Sequence, residues 1–374
     1  MVKANKGEWS EPYVAIRLLG DGRLYLADGN GNKNEKEWME ILDVLRYETN
    51  LHLVKYHYDA KETAVSVYIE NKLVIKVLAS DFLKYADMLR NEISASSGRS
   101  FSVSDDIMAF FEKIKIDKHH LKAESKNKSD IFLNIFDPRA SIVRNEIGFS
   151  IKSKFGQNPT LFNTAKASAA IYQLEDMTDN LMQKVNALVD EGGHAAVRER
   201  CELIKRHCKV SFVGFPVAAK ANCVAFAENL EMLNCRLKVV IQQIMYNFFF
   251  EGYAEKDINK VVERIIADNP CHIRFPEQKY PYMVKAFLYA AYCGMTASTV
   301  WDGTSNVNGG FITVCGNGDV VAQYALESDA FKTYLYNNCY LETPSTSPKH
   351  GNYGFVYKEN GNYFFRLNFQ IRYR

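Results

Sequence analysis

The sequence predicts a mixed α/β protein with one or two compact cores. Segments with apolar residues spaced three and four apart, typical of amphipathic helices, occur beside segments in which every second residue is apolar. The last third carries Asn317-Gly318 and Asn360-Gly361, which are strong hairpin-turn signals. With 374 residues and 47% hydrophobic content, the chain can bury a sizeable core, or two.

The predicted elements follow from these patterns and from the residues that end them. Ser10 can cap a helix over residues 10–19 that tolerates Pro12 in its first turn, and Gly20 and Gly22 end it. Further helices are expected at 35–48, 81–95, 104–115, 160–174, 176–190 and over much of 195–250. Strands are expected at 23–27, 130–136, 146–153, 310–314 and 363–371, with two or three more within 51–78.

Composition restricts the class of function only loosely. The net charge of +2 does not indicate a strongly basic surface, and a charged fraction of 24% does not indicate disorder. No apolar run reaches the roughly 18 residues of a membrane span, and no signal peptide opens the chain, so we expect a cytoplasmic protein without a membrane partner. None of the eight cysteines has CxxC spacing, which favours reduced core thiols over a zinc site.

The segment from Asp130 to Lys152 is the most informative part of the chain. Odd positions of its two expected strands are apolar, whereas Asp130, Ser150 and Lys152 occupy even positions and therefore share one face. A hairpin folded about residue 141 places Asp130 opposite Lys152, because 130 + 152 = 2 × 141, with the turn within residues 138–144. The sequence thus predicts an aspartate and a lysine together at the open end of a buried hairpin.

Such a pair suits metal-assisted hydrolysis. The carboxylate of Asp130 can bind a hard divalent cation, and the backbone carbonyl of Ile151 could face the same cation. The cation stabilises charge on a phosphate and activates a water, which Lys152 helps to position or deprotonate. The alternative is a solvated Asp–Lys pair on an ordinary hairpin.

Longer stretches carry a resemblance to a known family. An aspartate followed by Ser150-Ile151-Lys152 resembles the PD-(D/E)XK nucleases, although serine stands where those enzymes have an acid. The chain is similar, more closely, to HpaII-like type II restriction endonucleases at residues 6–11 (KGEWSE), 128–130 (KSD), 148–156 (GFSIKSKFG), 159–163 (PTLFN), 294–303 (GMTASTVWDG) and 365–372 (FRLNFQIR).

The resemblance implies an architecture and an activity. It implies a PD-(D/E)XK restriction-endonuclease-like core, a mixed sheet flanked by helices, in residues 1–175 with an insertion at about 28–128. Residues 176–374 are then a helical and later β-rich DNA-recognition region. The implied reaction is Mg²⁺-dependent hydrolysis of double-stranded DNA by a homodimer at a short site, with CCGG as the candidate. In this reaction Asp130 holds the metal, Lys152 handles the water, and Ser150 is a weak or indirect ligand.

A second metal carboxylate must come from outside the hairpin. Glu146 lies at its turn end, roughly 20 Å along the strand from the open end. Glu11 is the preferred candidate, because Gly7-x-x-x-Glu11 before a helix, a glycine break and a strand resembles archaeal Holliday-junction resolvases. In those enzymes a first-helix glutamate joins the metal site. Glu8 and Glu92 stay open as alternatives, and a glutamate near a helix N-terminus can simply stabilise the helix.

Candidate DNA contacts are amide, hydroxyl and cationic side chains that follow the catalytic strand or lie in the β-rich region. They are Asn158, Thr160, Asn163, Lys349, His350, Arg366 and Arg372. The spacing of Arg366, Arg372 and Arg374 predicts a shared strand face that could follow phosphates. Helix capping by Asn158 and Thr160, a solvated loop and a solvated strand edge are the corresponding alternatives.

Two other functions fit the same residues. One is junction or repair cleavage by the same nuclease core. The other is an inactive nuclease fold that only binds DNA, which the serine at position 150 favours. Digestion of a plasmid with magnesium would separate them, because restriction gives discrete bands, junction resolution depends on DNA structure, and an inactive fold binds without cutting.

Overall fold

The architecture comes from a computed structural model that describes residues 2–48, 52–117, 121, 129–156, 158–192, 195–216, 221–252, 255–304, 309–324, 328–346 and 353–374. The helices within these ranges are α1 (Lys6–Asp21), α2 (Ala79–Ala95), α3 (Asp105–Lys113), α4 (Asp179–Ala187), α5 (Val197–His207), α6 (Ala221–Leu233), α7 (Leu237–Phe250), α8 (Ile258–Asp268), α9 (Pro276–Tyr292) and α10 (Ser328–Asn338).

The strands are distributed along the whole chain. They are β1 (Arg23–Ala27), β2 (Lys33–Glu48), β3 (His52–Asp59), β4 (Ala64–Ile69), β5 (Lys72–Leu78), β6 (Ile131–Asp137), β7 (Ile142–Ser153), β8 (Thr160–Phe162), β9 (Ala170–Glu175), β10 (Lys209–Gly214), β11 (Gly310–Val314), β12 (Val320–Tyr324), β13 (Cys339–Glu342), β14 (Val356–Glu359), β15 (Asn362–Leu367) and β16 (Gln370–Tyr373). The predicted mixed α/β class is confirmed.

The chain forms two compact units. The first comprises Met1–Pro159 and Ser305–Tyr334, and the second comprises Thr160–Thr304 and Leu335–Arg374. This division differs from the expected boundary at residue 175. The hairpin of β11 and β12 belongs to the first unit although it is remote in sequence, because both of its outer edges pair with strands of that unit.

A nine-stranded mixed sheet forms the centre of the first unit, in the order β1-β12-β11-β7-β6-β2-β3-β4-β5. Strand β11 runs parallel to β7 and β12 runs parallel to β1, whereas the other neighbours are antiparallel. Strand β1 also pairs with β2, so the first six strands close into a ring of pairings. Helices α1 and α2 pack together, and their apolar residues share one core with the sheet.

Helix α1 begins earlier than Ser10, because Asn5 is its N-cap. The Asn5 side chain accepts the Glu8 backbone N–H at 3.0 Å, and the Glu8 carboxylate accepts the Asn5 backbone N–H at 2.9 Å. Gly22 ends the helix in the left-handed conformation with φ of 63°, as the glycine pattern predicts. Strand β1 follows over the residues expected for it.

The helix expected at 35–48 is wrong: these residues belong to β2. The strand pairs with β1, β6 and β3 along its length, and its register shifts between Ile41 and Asp43. Residues 43–46 are all buried, so both faces of the strand are covered there. In this stretch and around the bulge, buried positions do not alternate with exposed ones. The resulting spacing of Trp38, Ile41, Leu42 and Leu45 imitates a helical period. Strand β2 also falls within the expected insertion yet pairs with β6.

The helix expected at 160–174 is also wrong. The segment contains β8, a single 3₁₀ turn at Lys166–Ser168 and β9. Strand β9 pairs with β10 on one edge and with β15 on the other. Pairing with residues nearly 200 positions away thus outweighs the local helical preference of an alanine-rich stretch. The hairpin turns at Asn317-Gly318 and Asn360-Gly361 are confirmed, since they join β11 to β12 and β14 to β15.

The second unit surrounds two small sheets with helices. Its four-stranded sheet has the order β10-β9-β15-β14, and its three-stranded sheet has the order β13-β16-β8. The guanidinium of the buried Arg200 donates to the carbonyl oxygens of Asn186, Leu188 and Gly354 at 2.6–2.9 Å. This fixes the loop before β14 against α5. No helix in the described part of the chain is both long and apolar enough to cross a bilayer.

Candidate active site

The site is built around Asp130, which immediately precedes β6. Its backbone N–H donates to the Phe149 carbonyl on β7 at 2.9 Å. Its Oδ2 accepts the Ile151 backbone N–H at 2.7 Å and the Ser150 hydroxyl at 3.1 Å. The carboxylate is therefore held in a fixed orientation at the open end of the β6–β7 hairpin.

The register differs from the predicted one, because Asp130 lies opposite Ser150 rather than Lys152. Near the turn the paired residues sum to 279 (137 + 142), whereas at the open end they sum to 280 (131 + 149). A bulge makes the difference: Glu146 adopts φ of 51°, and its N–H donates to the Asn134 side chain at 2.7 Å. Without this extra residue Asp130 would face the apolar Phe149, so the bulge brings the aspartate to the polar face.

Ser150 and Lys152 share the face of β7 predicted for them. They pair with Phe311 and Thr313 of the parallel strand β11, and the Lys152 ammonium lies 5.6 Å from the centre of the Phe311 ring. Ser150 is buried and Lys152 is partly buried. Ile151 lies on the opposite face against the core, paired with Ile312.

The Ile151 backbone contributes a second oxygen near Asp130. In a strand, the N–H and C=O of one residue point to the same edge. The Ile151 N–H donates to the carboxylate of Asp130, the residue just before β6. The carbonyl of Ile151 is therefore also directed to the edge of β7 that faces β6. The Asp130 carboxylate and the Ser150 hydroxyl therefore meet at the hairpin end, and the Ile151 carbonyl is directed to the same strand edge.

Helix α1 lies against the end of β7 through two serines. The hydroxyl oxygens of Ser10 and Ser153 are 2.7 Å apart, Ser10 donates to the Lys6 carbonyl at 2.7 Å, and Ser153 accepts the Phe155 N–H at 3.3 Å. Since each hydroxyl has one proton, Ser153 donates to Ser10. Glu11 follows Ser10 in α1 and is 93% buried, with 7% of its surface exposed.

Glu11 interacts electrostatically with Arg46, a fully buried residue of β2. The Arg46 guanidinium donates to the Glu48 carboxylate at 2.8 Å and to the Leu121 carbonyl at 2.9 Å. Burial lowers the pKa of Arg46, but the charges of Glu48, Tyr56 and Glu11 more than offset this and raise it. In the antiparallel β2–β6 register Leu45 lies opposite Phe132. Arg46 therefore comes next to Ile131, the residue that follows Asp130.

The two alternative glutamates have other structural tasks. The Glu8 carboxylate caps α1 through the Asn5 N–H, as described above. The Glu92 carboxylate accepts the Ser104 N–H at 2.8 Å, at the N-cap of α3. Of the three, only Glu11 is buried.

The donor set fits a hard divalent cation. No three His, Cys, Asp or Glu side chains converge on one point among the residues that the structure describes. Asp130 Oδ1 makes no hydrogen bond within those residues, whereas Oδ2 makes two. One or two carboxylates with a backbone carbonyl suit Mg²⁺, which keeps several waters and binds substrate phosphates rather than a complete protein cage.

Two of the polar residues after β7, Thr160 and Asn163, are held by the C-terminal strand of their own unit. The Gln370 amide on β16 donates to Thr160 at 3.2 Å and to Asn163 at 3.0 Å. Thr160 lies in β8 and therefore does not cap a helix. Asn158 is half-buried in the first unit. Lys349 and His350 lie outside the described residues.

The expected arginine face is wrong. Arg366 lies on β15 in the four-stranded sheet, whereas Arg372 lies on β16 in the three-stranded sheet, because the chain turns at residues 368–369. The Arg366 guanidinium lies 4.4 Å from the Tyr357 ring, and Arg372 forms an ion pair with Glu342. Arg374 forms an ion pair with Asp257 at 2.6 Å. These contacts leave the DNA-contact role of Arg366 and Arg372 a prediction.

Sequence reasoning missed the Ser10–Ser153 contact and the buried Arg46. No sequence signal connects two serines that are 143 residues apart. Arg46 had one usable signal, since Glu48 stands two residues later and so on the same strand face. The residue spacing predicts a helix for this segment, and in a helix residues two apart do not share a face, so the pair could not be recognised.

Comparison with known proteins assigns the chain to a class. The profile of the family described as HpaII restriction endonuclease matches residues 5–373, so the chain belongs to this restriction endonuclease family. It is 32% identical over 373 residues to the type II restriction enzyme HpaII of Haemophilus parainfluenzae, covering 99% of this chain and 98% of that enzyme. No solved structure matches the chain significantly.

Proposed function

We propose that the chain hydrolyses phosphodiester bonds of double-stranded DNA at a short specific site with bound Mg²⁺, on a PD-(D/E)XK core. The observation that carries this proposal is the Asp130 carboxylate, fixed by the Ser150 hydroxyl and the Ile151 N–H, with Lys152 on the same face of β7 as Ser150. Membership of a restriction endonuclease family supports the DNA substrate. The mixed strand order β2-β6-β7-β11, with β7 and β11 parallel, supports the core. We place the reaction in the cytoplasm.

Asp130, Glu11 and the Ile151 carbonyl would hold the cation, and Ser150 supports Asp130 through its hydrogen bond. A bound divalent cation would offset charge on the phosphate and acidify a water. Lys152 lies on the same face of β7 as Ser150, so its ammonium would orient that water and neutralise developing charge. Glu11 would bring a second negative charge from α1, because the other carboxylates of the hairpin lie towards its turn.

Replacing Lys152 tests this assignment. Lys152→Ala removes a partly buried side chain from the polar face and leaves the apolar face of β7 intact, so folding should persist. We expect the cutting rate of plasmid DNA to fall at least about 10²-fold, the scale of losing one positioned acid–base group. Binding of the same DNA in Ca²⁺ and the melting temperature should stay close to those of the wild type.

The exposed Lys72→Ala at the far edge of the sheet is the matched control and should cut normally. Near-normal cutting by Lys152→Ala would refute the proposed site. Structure-dependent nicking by the wild type would indicate a junction or repair nuclease instead, and binding without cutting would indicate an inactive fold.

The target is proposed to be a short palindrome, with CCGG as the candidate, on the resemblance to HpaII-like enzymes. Sequencing the ends of digested genomic DNA would identify it. We also expect cytosine methylation within the site to block cutting, because the major-groove edge of cytosine carries the specific pattern. An asymmetric or AT-rich site would overturn the proposed specificity and leave the nuclease proposal standing.

A further inference from the structure

We propose that a cleft beside the catalytic strand binds a DNA backbone phosphate adjacent to the scissile one, an inference that rests on the proposed nuclease function. The cleft has a volume of about 740 Å³. The start of α1, the segment after α2 and the end of β7 contribute its walls, through Lys6, Gly7, Ser97, Arg99, Ser153 and Gly156. All of these residues belong to the first unit.

The charge of the cleft selects an anion. Lys6 and Arg99 are the charged residues among those described in its lining, and both are positive. Neither side chain forms an ion pair with another described residue. Many other surface cations are paired, for example Lys205 with Glu251 at 2.7 Å. The nearby Glu8 carboxylate is engaged by the Asn5 N–H. Two uncompensated cations in one concave site match the backbone of DNA.

The position of the cleft identifies which phosphates it can reach. Ser153 lines the cleft and directly follows Lys152. Gly156 lies four residues beyond Lys152, at most about 14 Å along an extended chain. The Phe155–Ser153–Ser10–Lys6 hydrogen-bond chain ties the Lys6 backbone to the end of β7. The cleft therefore has a fixed separation from Lys152, which suits a phosphate within about two nucleotides of the cut on the same strand.

The salt dependence of DNA binding tests the charge argument. Binding is measured in the Lys152→Ala background with Ca²⁺, so that DNA stays uncut. The logarithm of the binding constant falls with the logarithm of salt concentration by about one unit of slope per phosphate contact. We expect Lys6→Gln with Arg99→Gln to reduce that slope by about 1 to 2, equally for specific and scrambled duplexes. The exposed Lys72→Gln should leave it unchanged.

Neutral methylphosphonate linkages then locate the contact. Each phosphate around the cut is replaced in turn, and the loss of affinity is compared between the parent and the Lys6→Gln, Arg99→Gln variant. At the contacted phosphate the parent should lose affinity while the variant loses little more, because its partner charge is already gone. We expect this coupling within about two nucleotides of the cut.

The outcomes separate the two proposals. Suppose that the wild type binds and cuts DNA, but the variant has an unchanged salt slope or couples only to remote phosphates. The proposal of a phosphate site in the cleft is then wrong, and the nuclease function stands. A wild type that neither binds nor cuts DNA overturns both. A reduced slope with coupling beside the cut supports the cleft as a phosphate site.

Discussion

At the scale of single residues, burial separates the carboxylates that could hold a metal. Glu8 and Glu92 each accept a backbone N–H at a helix N-terminus, so their charges stabilise helices. Glu11 is buried in α1 and lies within the field of Arg46 on β2, the strand that pairs with β6. Arg46 already places a positive charge near this buried carboxylate, and a metal ion beside Asp130 would add a second one.

We predict that Glu11→Gln raises the Mg²⁺ concentration needed for half-maximal cutting, or abolishes cutting. Glutamine keeps the size of the side chain and removes the charge that helps to hold the cation. The melting temperature should change little, because Arg46 keeps Glu48 at 2.8 Å. Magnesium titrations of plasmid cleavage, with melting curves of the same samples, provide the measurement.

Glu8→Gln and Glu92→Gln are the matched controls. A glutamine oxygen can still accept the N–H that each glutamate now binds, so both variants should fold and cut as the wild type does. If Glu92→Gln stops cutting while Glu11→Gln cuts normally, the first-helix assignment is wrong.

At the scale of elements, the β6–β7 hairpin is fixed at its turn by an ion pair between the buried Asp137 carboxylate and the more exposed Arg139. Asp137 is 4% exposed, and it accepts the Arg139 backbone N–H at 3.0 Å and the Arg139 guanidinium at 3.1 Å. Burial alone would raise the pKa of Asp137, but the hydrogen bonds and charge of Arg139 lower it below the ordinary value. The pair lies at the opposite end of the hairpin from Asp130, so it acts on stability rather than on chemistry.

We predict that Asp137→Ala lowers the free energy of unfolding by about 1–3 kcal/mol at pH 7. Because the folded-state pKa is depressed, the stabilisation by the Asp137 charge is complete above the unfolded-state pKa of about 3.9. It is lost as the pH falls through the lower folded-state value. Urea unfolding at pH 7 and near pH 3 should therefore show a difference from the wild type that shrinks in acid.

Asp59→Ala is the control, because it removes a turn aspartate whose hydrogen bonds come from backbone N–H groups and not from an arginine. Asp59 accepts the N–H groups of Lys61 and Glu62 in the β3–β4 turn. We expect its replacement to cost less than that of Asp137. An Asp137→Ala effect of equal size at both pH values would show that the charge of this residue is not what stabilises the turn.

At the scale of the whole molecule, we predict that two chains bind one palindromic duplex. Twofold DNA sites match twofold proteins, and one chain contains a single Asp130–Lys152 site for two strands. Sedimentation of Lys152→Ala with the duplex in Ca²⁺ should give two chains per duplex. A duplex with one half-site should bind more weakly, and a single chain on the full palindrome would contradict the prediction.

The sequence by itself determined the local features of this protein. Helix α1 with its glycine end, strand β1, the two Asn-Gly hairpins and the polar face of β7 follow from capping, turn chemistry and alternation within about twenty residues. The sequence predicts that Ser150 and Lys152 share one face of β7, because neighbouring strand positions point to opposite sides. The resemblance to HpaII-like enzymes gave the family.

The tertiary structure decided whatever depends on pairing between distant segments. Strand β2 was expected to be a helix because a bulge and cover on both faces remove its alternation, and β9 is a strand because β10 and β15 pair with it. The bulge at Glu146 adds one residue to β7 and so decides whether Asp130 faces Phe149 or Ser150. No local sequence pattern indicates that a residue is added there. Hydrogen bonds and charges act through space, so only the folded chain brings Ser10 to Ser153 and Glu11 towards Arg46.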